Sequence, residues 1–209
     1  LSRLAGTVLQ LLAGGALAVH PLRQGGAWPL LNTWFIASAL IGTSGLFIAQ
    51  HAYARRSELP KLEPHGLTLL VPWGILFWVR ASLGEVDAWV PAAYQTGAAL
   101  AALALLALAL ETVGRRSAWP PARYPALLLW PIMAGYLMQY AFGLRAQPFS
   151  HGGFLGWPLL LLAMGTTLRK WVGAHAQSGL VWAHASALWL WGLFGVLFFE
   201  QLCDQQFGL

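Results

Sequence analysis

Apolar residues in this chain run in blocks of helix length, separated by short polar stretches. A helix needs about 20 apolar residues to cross a hydrocarbon core of about 30 Å. Seven blocks meet or approach that length: residues 4–19, 33–54, 66–83, 91–110, 125–144, 154–168 and 180–199. The sixth is the shortest and leans on Trp157 and Trp171 as edge anchors. Polar residues collect in the linkers 20–31, 55–65, 84–90, 111–124, 145–153 and 169–179. Linkers this short predict antiparallel neighbours, and none can fold as a separate domain. The pattern predicts an all-α polytopic bundle that forms one unit over residues 1–209.

The first block has a second reading. Arg3, the apolar run and Ala16-Leu17-Ala18 also fit a secretory signal peptide with a small-residue cleavage site. Gly14, Gly15 and Ala18 fit a close-packing helix face as well. Both readings put His20 outside the cytoplasm. The chain begins at Leu1 and ends at Leu209 without a polar tail, so both ends read as cuts in a longer protein.

Composition narrows the class. The 209 residues are 58% hydrophobic and 9% charged, against roughly 25% charged in a soluble domain. So few polar side chains cannot cover a globular surface, which disfavours a soluble enzyme or a disordered tail. The formal net charge is +5, but twelve Lys and Arg spread over the chain form no nucleic-acid patch. Their placement answers to a membrane. Arg3, Arg55, Arg56, Lys61, Arg115, Arg116, Arg123, Arg169 and Lys170 fall on one side of the predicted bundle; Arg23, Arg80 and Arg145 fall on the other. Cationic loops mark the cytoplasm, so the N-terminus is expected inside and the C-terminus outside. Trp28, Trp34, Trp89 and Trp157 fall at expected outer edges, and Trp119, Trp171 and Trp182 at inner ones, as suits an indole with one N–H donor.

Within lipid, small residues and a few polar groups join helices. Ser38 and Gly42, Gly45 and Ala49, Gly97 and Ala101, Ala98 and Ala102, and Ala183 and Ala187 recur at intervals of four and mark packing faces. Pro72 and Pro131, placed inside the third and fifth blocks, are expected to kink their helices.

Chemistry is sparse. The chain has no G-x-S-x-G, H-E-x-x-H or Walker A motif, and its lone Cys203 excludes an intrachain disulfide. His51, His65, His175 and His184 map to the cytoplasmic half or edge. No block offers two of them on one face, so neither haem nor a tightly held metal is expected, and no cofactor is implied. Arg80 lies about one turn inside the outer end of the third block. Glu85 and Asp87 follow in the expected loop, and Glu200 closes the seventh block with Asp204 beyond it. A cation at that depth snorkels or pairs, and the expected partner is Glu200. Gln139, flanked by Tyr136 and Tyr140, is expected to bond to another helix as interhelical glue; the alternative is that it forms, with Gln10 and the two tyrosines, a polar stripe lining a cavity. Arg80, Glu200, Gln139 and His184 are thus the candidate substrate-binding residues; no catalytic residue stands out.

The last third runs Gly156-Trp157-Pro158-Leu159-Leu160-Leu161, then Leu168-Arg169-Lys170, Trp182-Ala183-His184, a Trp-rich helix, and Phe199-Glu200-Gln201-Leu202. This order, and the second block from Leu31-Asn32 to Arg55-Arg56, resembles a bacterial family of large, many-spanning membrane proteins, domain-of-unknown-function family twenty-three thirty-nine. The resemblance implies a slice of a longer multi-pass protein of the bacterial inner membrane. That family has no established activity, so no catalytic residue carries over. The expected partners are the lipid bilayer and other transmembrane segments of the same longer chain, and not nucleic acid. Three roles compete: a scaffold or component of an envelope assembly, which leads; a transporter; and an envelope enzyme acting on lipid-linked sugars or acyl chains at the outer face.

Overall fold

The computed structural model describes residues 2–19, 28–57, 69–124, 131–135 and 153–172, with residues 188, 191, 192, 195, 196, 198, 199 and 203. Among these residues every regular element is helical and no strand occurs. The helices are α1 (Ser2–Val19), α2 (Thr33–Ala54), α3 (Leu70–Trp89), α4 (Ala92–Arg116) and α5 (Gly153–Val172), with a 3-10 turn at Pro120–Ala122. Two of them, α2 and α4, are long and apolar enough to cross a membrane. The helices α3 and α5 are each 20 residues long, but α3 carries Arg80, Glu85 and Asp87, and α5 carries Arg169 and Lys170.

By its internal contacts the chain divides into two compact units. The first comprises Leu1–Ala92 and Ala109–Pro125, and the second Ala93–Leu108 and Ala126–Leu209. In the first unit α2 and α3 pack along most of their length. Their backbones meet at Gly42 and Gly74, and Gly45 lies against Leu70 and Gly74. As residue numbers rise on α2 they fall on α3, so the pair is antiparallel. Towards this seam α2 turns Ser38, Gly42, Gly45, Ala49 and Ala52. These short side chains bring the backbones close, where dispersion contacts are densest. The other faces of α2 carry the bulk: Leu40 is 65% exposed and Phe47 66%, while Ser38 is fully buried. From α1, Gln10 Nε2 donates to the Ile41 carbonyl and to Ser44 Oγ, each at 2.7 Å. Gly14 of α1 lies under the ring edges of Trp73 and Phe77. Gln10 therefore joins α1 to α2, while Gln139, its expected partner in a polar stripe, lies outside the described residues.

In the second unit the same device recurs between α4 and α5. A Cβ at Gly156 would lie 2.5 Å from the Gly97 carbonyl oxygen. Around that contact Leu100, Leu103, Ala104, Trp157, Leu160, Ala163 and Met164 are buried, and Leu105, Phe154, Leu155 and Leu162 are exposed.

Several boundaries move from their expected places. The third helix runs on to Trp89, so Glu85 and Asp87 sit on helix and not in a loop. The fourth runs on to Arg116, which puts Glu111 inside its last turns. Pro72 falls at the third residue of α3, where a missing N–H costs nothing because a first-turn donor has no intrahelical acceptor. Pro158 does lie inside a helix, α5. Most of the expected fifth and seventh spans lie outside the described residues.

Candidate functional site

The most elaborate polar arrangement lies where α2 begins and α3 ends. Asn32 caps α2 in an extended conformation, and its Oδ1 accepts the Phe35 N–H at 2.7 Å. An N-cap of this kind satisfies one of the four orphan donors of a helix start. The other end of the same amide, Nδ2, donates to Glu85 Oε1. Glu85 Oε2 accepts the Leu30 N–H at 2.8 Å. To aim that N–H, Leu30 takes a φ of 63°, a left-handed conformation uncommon for a residue with a side chain. Both Glu85 oxygens thus serve the chain entering α2, and the group is buried. A negative charge here also faces the positive end of the α2 dipole.

Arg80 stands five residues before Glu85 on α3. Its guanidinium carbon lies 4.7 Å from the centroid of the Trp34 ring, within cation–π range. Trp34 is buried in the first turn of α2, where an outer-edge anchor was expected. Arg80, Trp34, Asn32 and Glu85 therefore gather at one end of the α2–α3 pair.

A second arrangement closes α4. Ala118 takes a φ of 49°. The Ala118 N–H donates to the Arg115 carbonyl at 3.3 Å, and the Trp119 N–H to the Gly114 carbonyl at 2.7 Å. These are the two reversed bonds of a Schellman cap. The Pro120–Ala122 turn then lays Arg123 back on the helix. Its Nε sits 3.1 and 3.2 Å from the two Glu111 oxygens, with side-chain exposures of 15% for Arg123 and 0% for Glu111. Gly114 permits the return: a Cβ there would fall 2.7 Å from Arg123 Cγ.

Of the residues expected to bind substrate, Arg80 belongs to the first arrangement. Gln139, His184 and Glu200 lie outside the described residues, and with Glu200 goes its expected pairing with Arg80. His51 is exposed at the end of α2, its ring stacked on Phe47 at 6.3 Å between centroids. Among the described residues no three His, Cys, Asp or Glu side chains gather as a metal would require. Sequence reasoning missed Asn32–Glu85 and Glu111–Arg123. The first had a local signal, since Asn32 precedes an apolar run and so reads as a helix cap. The second had none, because Glu111 and Arg123 are brought together by a turn whose path depends on the positive φ of Ala118.

Chemically, both arrangements hold backbone in place. Each carboxylate has its oxygens occupied by donors from its own chain. No protein-family model matches this chain, and neither does any curated protein or solved structure.

Proposed function

We propose that this chain is a multi-pass protein of the bacterial inner membrane with seven spans, its N-terminus in the cytoplasm, serving as a scaffold or component of an envelope assembly. One observation carries the membrane reading: large apolar side chains stand exposed along the outer faces of the helices. On α2 Ser38, Gly42, Gly45, Ala49 and Ala52 are buried, with Trp34 in the first turn, while Ile36, Leu40 and Phe47 are exposed. Asn32, Glu85 and Glu111 are buried, and Leu105, Phe154, Leu155 and Leu162 are exposed. In water this arrangement forfeits the hydrophobic term, worth about 25 cal/mol per Å² of apolar surface. In lipid it costs nothing, and small buried residues are what helix association needs. The scaffold role draws support from the two carboxylate arrangements, which hold backbone turns and offer no reactive pair. The likeness of the last third to the many-spanning bacterial family remains a resemblance and lends no residue to the site.

Integration is tested by alkaline carbonate extraction of membranes from expressing cells, with the chain expected in the pellet. Topology is tested by single cysteines at Ser57 and Ser117 in a Cys203→Ala background. Both are expected to label from the cytoplasmic side only, and labelling from opposite sides refutes the assigned topology. For the scaffold role, native electrophoresis of mild-detergent extracts is expected to show one discrete species well above the mass of the chain. A purely monomeric chain would reject that role.

A further inference from the structure

We infer that the C-terminal end of α4 is a binding site for the headgroup of an anionic phospholipid, held by Arg115 and Arg116. This rests on the membrane reading above and adds a ligand to it.

Between Asp87 and Glu200 the chain has a single acidic residue, Glu111, against Arg115, Arg116, Arg123, Arg145, Arg169 and Lys170. On a helix, Glu111 and Arg115 are four residues apart, the spacing and order that favour a Glu–Arg pair. The fold spends Glu111 otherwise. Its side chain is wholly buried, and Arg123 returns through the Pro120–Ala122 turn to take both its oxygens. Arg115 and Arg116 are left exposed, and neither guanidinium is bonded to any described side chain. Glu58 and Glu63, the acids of the 55–65 linker, lie outside the described residues.

The surroundings name the ligand. The arginines end a 25-residue helix long and apolar enough to cross a membrane. Leu105 and Val113 are exposed on that helix, and Val113 lies about 3–4.5 Å along the axis from the two arginines at a rise of 1.5 Å per residue. An apolar surface that ends within one turn of guanidinium groups bonded to no described side chain matches the boundary between acyl chains and phosphate. Guanidinium also offers a planar fork of donors that fits two phosphate oxygens. A contrast sits at the end of α2, where Arg56 folds back: its guanidinium carbon is 4.3 Å from the Tyr53 ring centroid and its Nη1 reaches the Tyr53 carbonyl at 3.4 Å. Among the described residues Arg115 and Arg116 have no such internal seat. The Schellman cap and the Glu111–Arg123 pair hold the turn beside them, so the two donors are presented by an ordered helix end.

The test uses the full chain reconstituted in nanodiscs of phosphatidylcholine with about one fifth phosphatidylglycerol, followed by mild-detergent extraction and native mass spectrometry of the retained lipids. The wild type is expected to retain phosphatidylglycerol about fivefold or more above its share of the mixture, since one basic residue near an anionic surface contributes about a factor of five. R115Q/R116Q is expected to return to the ratio supplied. S117E keeps both arginines and sets an acid beside them, and it too is expected to lower the enrichment. It serves as the deciding variant should R115Q/R116Q fail to insert. A wild type that retains both lipids in the supplied ratio overturns the proposal, as does undiminished enrichment in the variants. Inserted protein without enrichment sinks this site alone, whereas a chain that carbonate strips from membranes sinks the membrane reading itself.

Discussion

Gly42 and Gly74 meet backbone to backbone: a Cβ on Gly42 would lie 2.9 Å from the Gly74 carbonyl oxygen, and one on Gly74 2.8 Å from that of Gly42. Neither obstacle is the movable end of a side chain, so any larger residue must push α2 and α3 apart. Gly74→Val is expected to destabilise the chain by about 1–3 kcal/mol, the usual cost of overpacking. Gly15→Ala, with nothing within 4 Å of the added methyl, is expected to be neutral or slightly stabilising. Reversible unfolding in mixed micelles compares the two. Equal effects would mean that the α2–α3 seam is looser than this contact requires.

Four residues from Gly42 on the same face, Ser38 is fully buried, and its hydroxyl has no hydrogen-bond partner among the described residues. Other helical hydroxyls here return to their own backbone, as Ser82 does to the Trp78 carbonyl at 2.9 Å. Ser38→Ala removes an unsatisfied group and leaves the packing almost unchanged. It is expected to be neutral or to stabilise by up to about 1 kcal/mol. A loss of more than that amount in the same unfolding assay would show that Ser38 has a partner in the folded protein.

Glu85 serves two donors, so Glu85→Gln turns one acceptor into a donor facing another donor. The expected cost is about 1–3 kcal/mol, the penalty for a buried group left unsatisfied. Leu30→Gly tests the other half of the arrangement. It relieves a left-handed residue that costs about 1–2 kcal/mol, partly offset by the added freedom of glycine in the unfolded chain. Limited proteolysis of the α1–α2 connection is expected to speed up for Glu85→Gln and not for Leu30→Gly.

Removing one partner of the Glu111–Arg123 pair leaves a charge in a largely dry place. Arg123→Met is expected to cost about 3 kcal/mol, at the lower end for a broken buried pair, because Arg123 keeps some contact with solvent. Glu111→Met together with Arg123→Met is expected to recover most of that loss, since a packed apolar pair avoids the desolvation penalty. The four-member mutant cycle gives the coupling directly, and additive losses would mean that the two side chains do not interact.

Helix positions were largely legible in the sequence. The second block, residues 33–54, coincides with Thr33–Ala54, and the first falls within Ser2–Val19. A helix closes its backbone hydrogen bonds within its own segment, so a long apolar run is readable as helix whatever its neighbours are. The packing face of α2 was legible for a similar reason, because Ser38, Gly42, Gly45 and Ala49 repeat at helical spacing. What tertiary structure decided was the partner of that face and the fate of the charges. Gly74 became its counterpart only because α3 runs antiparallel at a register that sets two glycines opposite. Glu85, expected hydrated in a loop, became a buried acceptor because α3 continues to Trp89 and meets the start of α2. Glu111, four residues before Arg115, went instead to Arg123, because the turn after α4 returns along the helix. Sequence spacing sets which groups can meet on one helix, but a carboxylate goes to the donor that can reach it with least loss of hydration. That depends on how separate segments cross, which no single segment encodes.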